Sequence, residues 1–203
     1  MSERIQDLLK QISELEAQLR TAVHEQEEKI SYRLEGTRVR FDDAVSDAHR
    51  RLKTGVLSWL ARSSARNIAS APFIYSMIVP IALFDLSLSL YQAVCFRLYG
   101  IPRVRRADFV VIDRHHLGYL NAIEKLNCVY CGYGNGVISY AREVISRTEQ
   151  YWCPIKHARK VIDAHPRYAA FIPYGDASEH PLKVKDLRNS LREEESPDTT
   201  TVR

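Results

Sequence analysis

Between Arg66 and Arg97 the chain carries a single charged residue, Asp85. Ala71 to Phe96 reads APFIYSMIVPIALFDLSLSLYQAVCF. As a helix, the 30 residues from Asn67 to Phe96 would extend about 45 Å, against a hydrocarbon core of about 30 Å. The interval is long for one upright span and too short for two. Residues 67–98 are therefore expected to form a membrane-embedded helix, or a shallow re-entrant hairpin with its apex at Pro80, where the ring removes a backbone donor. Asp85 should face protein, water or headgroups, because a carboxylate at mid-bilayer costs at least ~2.5 kcal/mol. The alternative, the core helix of a soluble protein, fits poorly with so long a stretch of nearly uncharged sequence.

Basic collars flank this block. Residues 36–66 hold 7 basic and 3 acidic groups, and 97–114 hold 5 and 2. Arg62 and Arg66 on one side, and Arg97, Arg103, Arg105 and Arg106 on the other, are expected at the membrane interface. The basic residues within about 20 positions are balanced, so the positive-inside rule assigns no orientation. A hairpin with both flanks on one side would account for the balance. Residues 36–66 read as an amphipathic basic stalk helix, with Val56, Leu57, Trp59 and Leu60 suited to an interface.

The N-terminal segment has a different period. Ile5, Leu8, Ile12, Leu15, Leu19 and Ala22 follow alternating spacings of three and four, a heptad seam with Ile at two a positions and Leu at two d positions. This pattern favours a parallel two-stranded coiled coil over residues 1–35, self-associating through 3–22. The competing reading packs the same face on its own domain. Residues 1–30 are polar and contain no apolar leader run, so no secretory signal is expected.

Beyond the block, residues 99–189 are expected to form a small helical Cys/His domain with a turn-rich cap, and 190–203 a disordered tail. Phe109–Ile112 could be a short strand, and a helix is expected to start near Asp113 and run to Cys128. Cys128-x2-Cys131 and Cys153-x3-His157 are separated by 21 residues. Two close pairs joined by a long loop suit a tetrahedral Zn²⁺ site of three thiolates and one imidazole, with His115 or His116 as alternative ligands. The competing reading makes Cys128, Gly132 and Gly136 a small-residue stripe for close helix packing. Cys153-Pro154 could ligate haem iron, and an iron centre is a further alternative. With 4 Cys in 203 residues, a disulfide-stapled secreted scaffold is excluded. No P-loop, Gly-x-Ser-x-Gly or His-Glu-x-x-His occurs, and no residue pattern argues for a reaction.

From Asp113 to Arg159, DRHHLGYLNAIEKLNCVYCGYGNGVISYAREVISRTEQYWCPIKHAR resembles a family of uncharacterised bacterial inner-membrane proteins with a CxxC…WCPxxH pattern. The resemblance implies a membrane setting and no activity. The expected protein is mainly α, located at a bacterial inner membrane with its C-terminal domain cytoplasmic, where thiols stay reduced. It would be a self-associating structural or adaptor protein whose partners are the bilayer, a second copy and an unidentified protein. The alternatives are a membrane-bound redox or metal-handling protein using the same Cys cluster, and a zinc-dependent nucleic-acid-binding module. Nucleic acid is the least favoured partner, because Lys156, Arg159 and Lys160 more simply face anionic lipid.

Overall fold

The structure, a computed structural model, describes residues 3–28, 32–35, 38–178 and 180–194. It is mainly helical and divides into two units, Met1–Leu60 with Asp113–Lys125, and Ala61–Ile112 with Leu126–Arg203.

The first unit opens with helix α1 (Glu3–Glu28). Strands β1 (Tyr32–Glu35) and β2 (Arg38–Phe41) follow, paired antiparallel with Tyr32 opposite Phe41 and Glu35 opposite Arg38. Helix α2 (Asp43–Leu52) has Asp43 in its first turn and His49, Arg50 and Arg51 in its last, matching the helix dipole at both ends. His49 sits edge-on between Phe41 and Tyr119, each 5.0 Å away by ring centroid. Helix α3 (Val56–Arg62) is separate. The stalk expected over 36–66 is thus a strand and two short helices. Arg38-Val39-Arg40-Phe41 alternates polar and apolar with a strand period, and the chain leaves helical geometry at Lys53, whose backbone is extended.

In the second unit, Ser64 caps helix α4 (Ala65–Ser76), its hydroxyl accepting from the Asn67 N–H. Helix α5 (Ile78–Tyr91), a π turn over Gln92–Phe96 and the short α6 (Arg97–Tyr99) continue it. Together Ala65–Tyr99 is one helix, long and apolar enough to cross a membrane. The chain does not reverse at Pro80. Met77 keeps right-handed helical angles there, so the missing donor causes a local irregularity and no hairpin. Gly100, at φ +67°, ends the helix in the left-handed region that favours glycine.

Helix α7 (Ala122–Trp152) runs 31 residues without a break. Its start is set by a capping box. The Asn121 side-chain oxygen accepts from the Ile123 and Glu124 N–H groups, and the Glu124 carboxylate accepts from the Asn121 N–H. The helix expected from Asp113 is therefore only a 3₁₀ turn at Arg114–His116 followed by a loop. Within the second unit α7 lies parallel to α4–α6. Tyr75 donates to Asn127, Tyr133 to Asp85, Tyr91 and Thr148 share a hydrogen bond, and Tyr99 stacks on Tyr151.

Parallel helices need a return segment, and residues 101–112 supply it as irregular chain running between them in the opposite sense. Val104 pairs with Gln92, Arg106 with Asp85, and the backbone of 109–111 passes over Gly136 and Gly132. A Cβ on Gly136 would lie 2.7 Å from the Phe109 carbonyl oxygen and 2.8 Å from the Val110 Cα. The small-residue stripe thus admits an irregular segment of backbone where another helix was expected, and Phe109–Ile112 forms no strand. The core around it comprises Leu88, Phe96, Ile101, Val104, Tyr140, Ala141, Val144 and Leu191. Leu191 comes from helix α8 (His180–Glu193), so residues 190–193 are ordered helix and not tail. Residues 195–203 lie outside the described residues.

Gly136→Val should cost about 1–3 kcal/mol by overpacking against 109–110. Gly134→Ala should stabilise by up to about 1 kcal/mol, since its Cβ would make only an ordinary 3.7 Å contact with Ile81. Urea unfolding of the detergent-solubilised protein by circular dichroism checks both signs.

Candidate functional site

The apolar helix has two faces of opposite character. Asp85, Leu88, Gln92 and Phe96 are buried against the rest of the second unit. Val79, Leu83, Leu86, Leu90 and Val94 point the other way and are more than half exposed, Leu86 at 66% and Leu90 at 64%. Only 11% of the most apolar window is buried in this chain. A core helix of a soluble protein would be covered all round. Monomeric soluble proteins seldom expose a contiguous apolar stripe of this extent.

The inner face is polar in an organised way. The Arg106 Nε donates to both oxygens of Asp85 at 2.9 and 3.1 Å, and its Nη2 donates to Oδ2 at 2.7 Å. The Tyr133 hydroxyl donates to the same Oδ2 at 2.9 Å, and its ring lies 5.9 Å from the guanidinium. Asp85 faces protein, and its charge is met by a forked donor. Two turns on, Gln92 clamps the return segment. Its amide donates to the Val104 carbonyl at 3.1 Å and accepts from the Val104 N–H at 2.9 Å. The same amide also donates to Tyr140, whose hydroxyl lies 3.5 Å from Ser89. The π turn begins at Gln92, and both Gln92 and Phe96 turn inward across it.

A second network holds the C-terminal part. Arg147 donates to Glu143 at 2.8 Å and to the Pro102 carbonyl at 2.8 Å, while Arg167 bridges Glu143 and Glu194 at 2.8 and 2.6 Å. Burial alone would raise the Glu143 pKa. The hydrogen bonds from Arg147 and Arg167 outweigh it and hold the carboxyl below its ordinary value.

The expected metal ligands are not brought together. Cys128 and Cys131 lie in the second and third turns of α7, and Cys153 follows its last residue. Because the helix runs straight through Gly132–Gly136, Cys131 and Cys153 are about 33 Å apart at ~1.5 Å per residue. One tetrahedral ion cannot reach both pairs. Cys153 and His157 are exposed, and His157 stacks on Tyr168 at 6.2 Å. His115 and His116 sit in the other unit, their rings 4.0 Å apart. Among the described residues no three His, Cys, Asp or Glu side chains converge on a point. All four cysteines are free, and the CxxC pair is not at a helix N-terminus, where a redox thiol would be activated.

The expected interfacial arginines divide. Arg62, Arg66, Arg97, Arg103 and Arg105 are exposed, Arg105 lying 3.7 Å from Asp108, and Arg106 is drawn onto Asp85 with its side chain still 43% exposed. In the seam, Ile12, Leu15 and Leu19 are exposed on α1, at 51%, 64% and 65%. The side chains of Ile5 and Leu8 lie outside the described residues. The Asp85 partner and the Gln92 clamp were missed by sequence reasoning. Their signal was Asp85 and Gln92 seven residues apart on one helix face.

Comparison with protein-family models, with curated proteins and with solved structures returned no match.

Asp85→Asn and Arg106→Gln should each cost about 1–3 kcal/mol, below the cost of a fully buried pair because Arg106 keeps contact with solvent. The double variant should cost clearly less than the sum. Additive losses in a double-mutant cycle by thermal unfolding would mean that the pair is not coupled.

Proposed function

We propose that this is a membrane-anchored, self-associating structural or adaptor protein. Its apolar helix meets lipid with its outer face and carries a folded domain on its inner face. The observation that carries this reading is the segregation of the two faces. Five exposed aliphatic side chains lie opposite a carboxylate and an amide that are fully engaged by protein. The basic collars on either side of the helix support the same setting. The domain is held by apolar packing and arginine–carboxylate bonds, and the zinc staple forms no part of the proposal. A cytoplasmic C-terminal domain is the proposed orientation. Self-association would run through the exposed Ile12, Leu15 and Leu19 of α1.

Membrane fractionation tests the anchor. The protein should stay with membranes through high-salt and carbonate washes, and Leu83→Glu with Leu90→Glu should release most of it. Release of the unaltered protein by salt alone would leave only electrostatic attachment. The seam has its own test. Leu15→Lys with Leu19→Lys should lower the mass of the detergent-solubilised particle by light scattering, and an unchanged mass would place the seam within the chain.

A further inference from the structure

We infer that the apolar helix lies in the plane of one leaflet of an anionic membrane and does not cross the bilayer. This inference rests on the membrane-anchor reading and adds its geometry and its lipid chemistry. The hydrogen bonds from Gln92 to Val104 and from Arg106 to Asp85 fix residues 103–108 beside the middle of the apolar run. Arg103, Arg105 and Asp108, all exposed and the last two ion-paired at 3.7 Å, therefore sit beside the middle of the apolar run.

An upright helix would place that segment in the hydrocarbon. The exposed charges of that segment oppose this. Exposed guanidiniums at mid-bilayer carry the insertion cost that makes such residues rare. Lying flat, the same helix presents Val79, Leu83, Leu86, Leu90 and Val94 to the acyl chains. The return segment is then on the far side of the helix, at headgroup height. Arg103 and Arg105 there, with Arg97 at the helix end, match the charge of acidic phospholipid. In-plane seating also keeps both flanks of the helix on one side, which accounts for the balanced collars.

Topology labelling tests the geometry. The full chain with its four cysteines changed to Ala, carrying either Ser58→Cys or Ala177→Cys, is exposed to an impermeant maleimide in right-side-out and in inverted membrane vesicles. Both positions should label from the same side. Labelling from opposite sides overturns the inference while leaving the anchor intact. Absence of the protein from the vesicles overturns the anchor reading itself.

A second measurement compares two vesicle compositions on the wild-type chain, whose result a poorly folded variant cannot decide, and then on two arginine variants. Purified protein is titrated with phosphatidylcholine vesicles with and without phosphatidylglycerol. Binding should favour the anionic vesicles and weaken about fivefold for each of Arg103→Gln and Arg105→Gln. Equal binding to both vesicles overturns the lipid assignment. A soluble dimer that binds neither would mean that a second copy covers the apolar face, which also overturns it.

Discussion

The arrangement of the second unit depends on how Asp85 is satisfied. A carboxylate on a helix of otherwise apolar residues must be paired or exposed to water, and here it accepts a forked arginine and a tyrosine hydroxyl. Arg106 can reach it only if the chain turns back along the helix after Gly100. Tyr133 can reach it only if α7 lies alongside. One buried charge thus ties the return segment and the second long helix to the first. Gln92 repeats the device two turns later with an uncharged amide, holding both the N–H and the C=O of Val104. These polar contacts contribute register more than net stability, since each must offset desolvation. The apolar packing of Phe96, Tyr140 and Val144, all fully buried, supplies the driving force.

Close approach completes the arrangement. With no Cβ at Gly136, the backbone of Phe109 and Val110 rests directly on α7. The return segment is thereby held between two helices with only a 3₁₀ turn at Arg106–Asp108 of its own. At the far end, Arg147 and Arg167 gather Glu143, Pro102 and Glu194, so α8 and the turn at Pro166–Ala170 close over the same core.

Much of the layout was legible in residue order. The single charge in thirty residues pointed to a long apolar helix, and the heptad spacing of Ile12, Leu15 and Leu19 falls within helix α1. What misled was local composition. The stretch between the two Cys/His pairs read as a long loop, yet Gly132, Gly134 and Gly136 lie in a helix begun by the Asn121–Glu124 box. That continuity separates Cys128 and Cys131 from Cys153. Cysteine spacing records distance along the chain, and an unbroken helix turns it into distance in space. The partner of Asp85 was illegible because it lies 21 residues away, across a turn made at Gly100 in the left-handed region.

The central claim is that the outer face of this helix meets lipid while the inner face meets protein. Site-directed spin labelling along 79–96 in lipid bilayers tests it most directly. Collisions with oxygen should peak at Val79, Leu83, Leu86, Leu90 and Val94 and fall at Asp85, Leu88, Gln92 and Phe96, with the period of a helix. High access of a water-soluble nickel reagent to the outer-face positions, or a profile without helical period, would contradict the account.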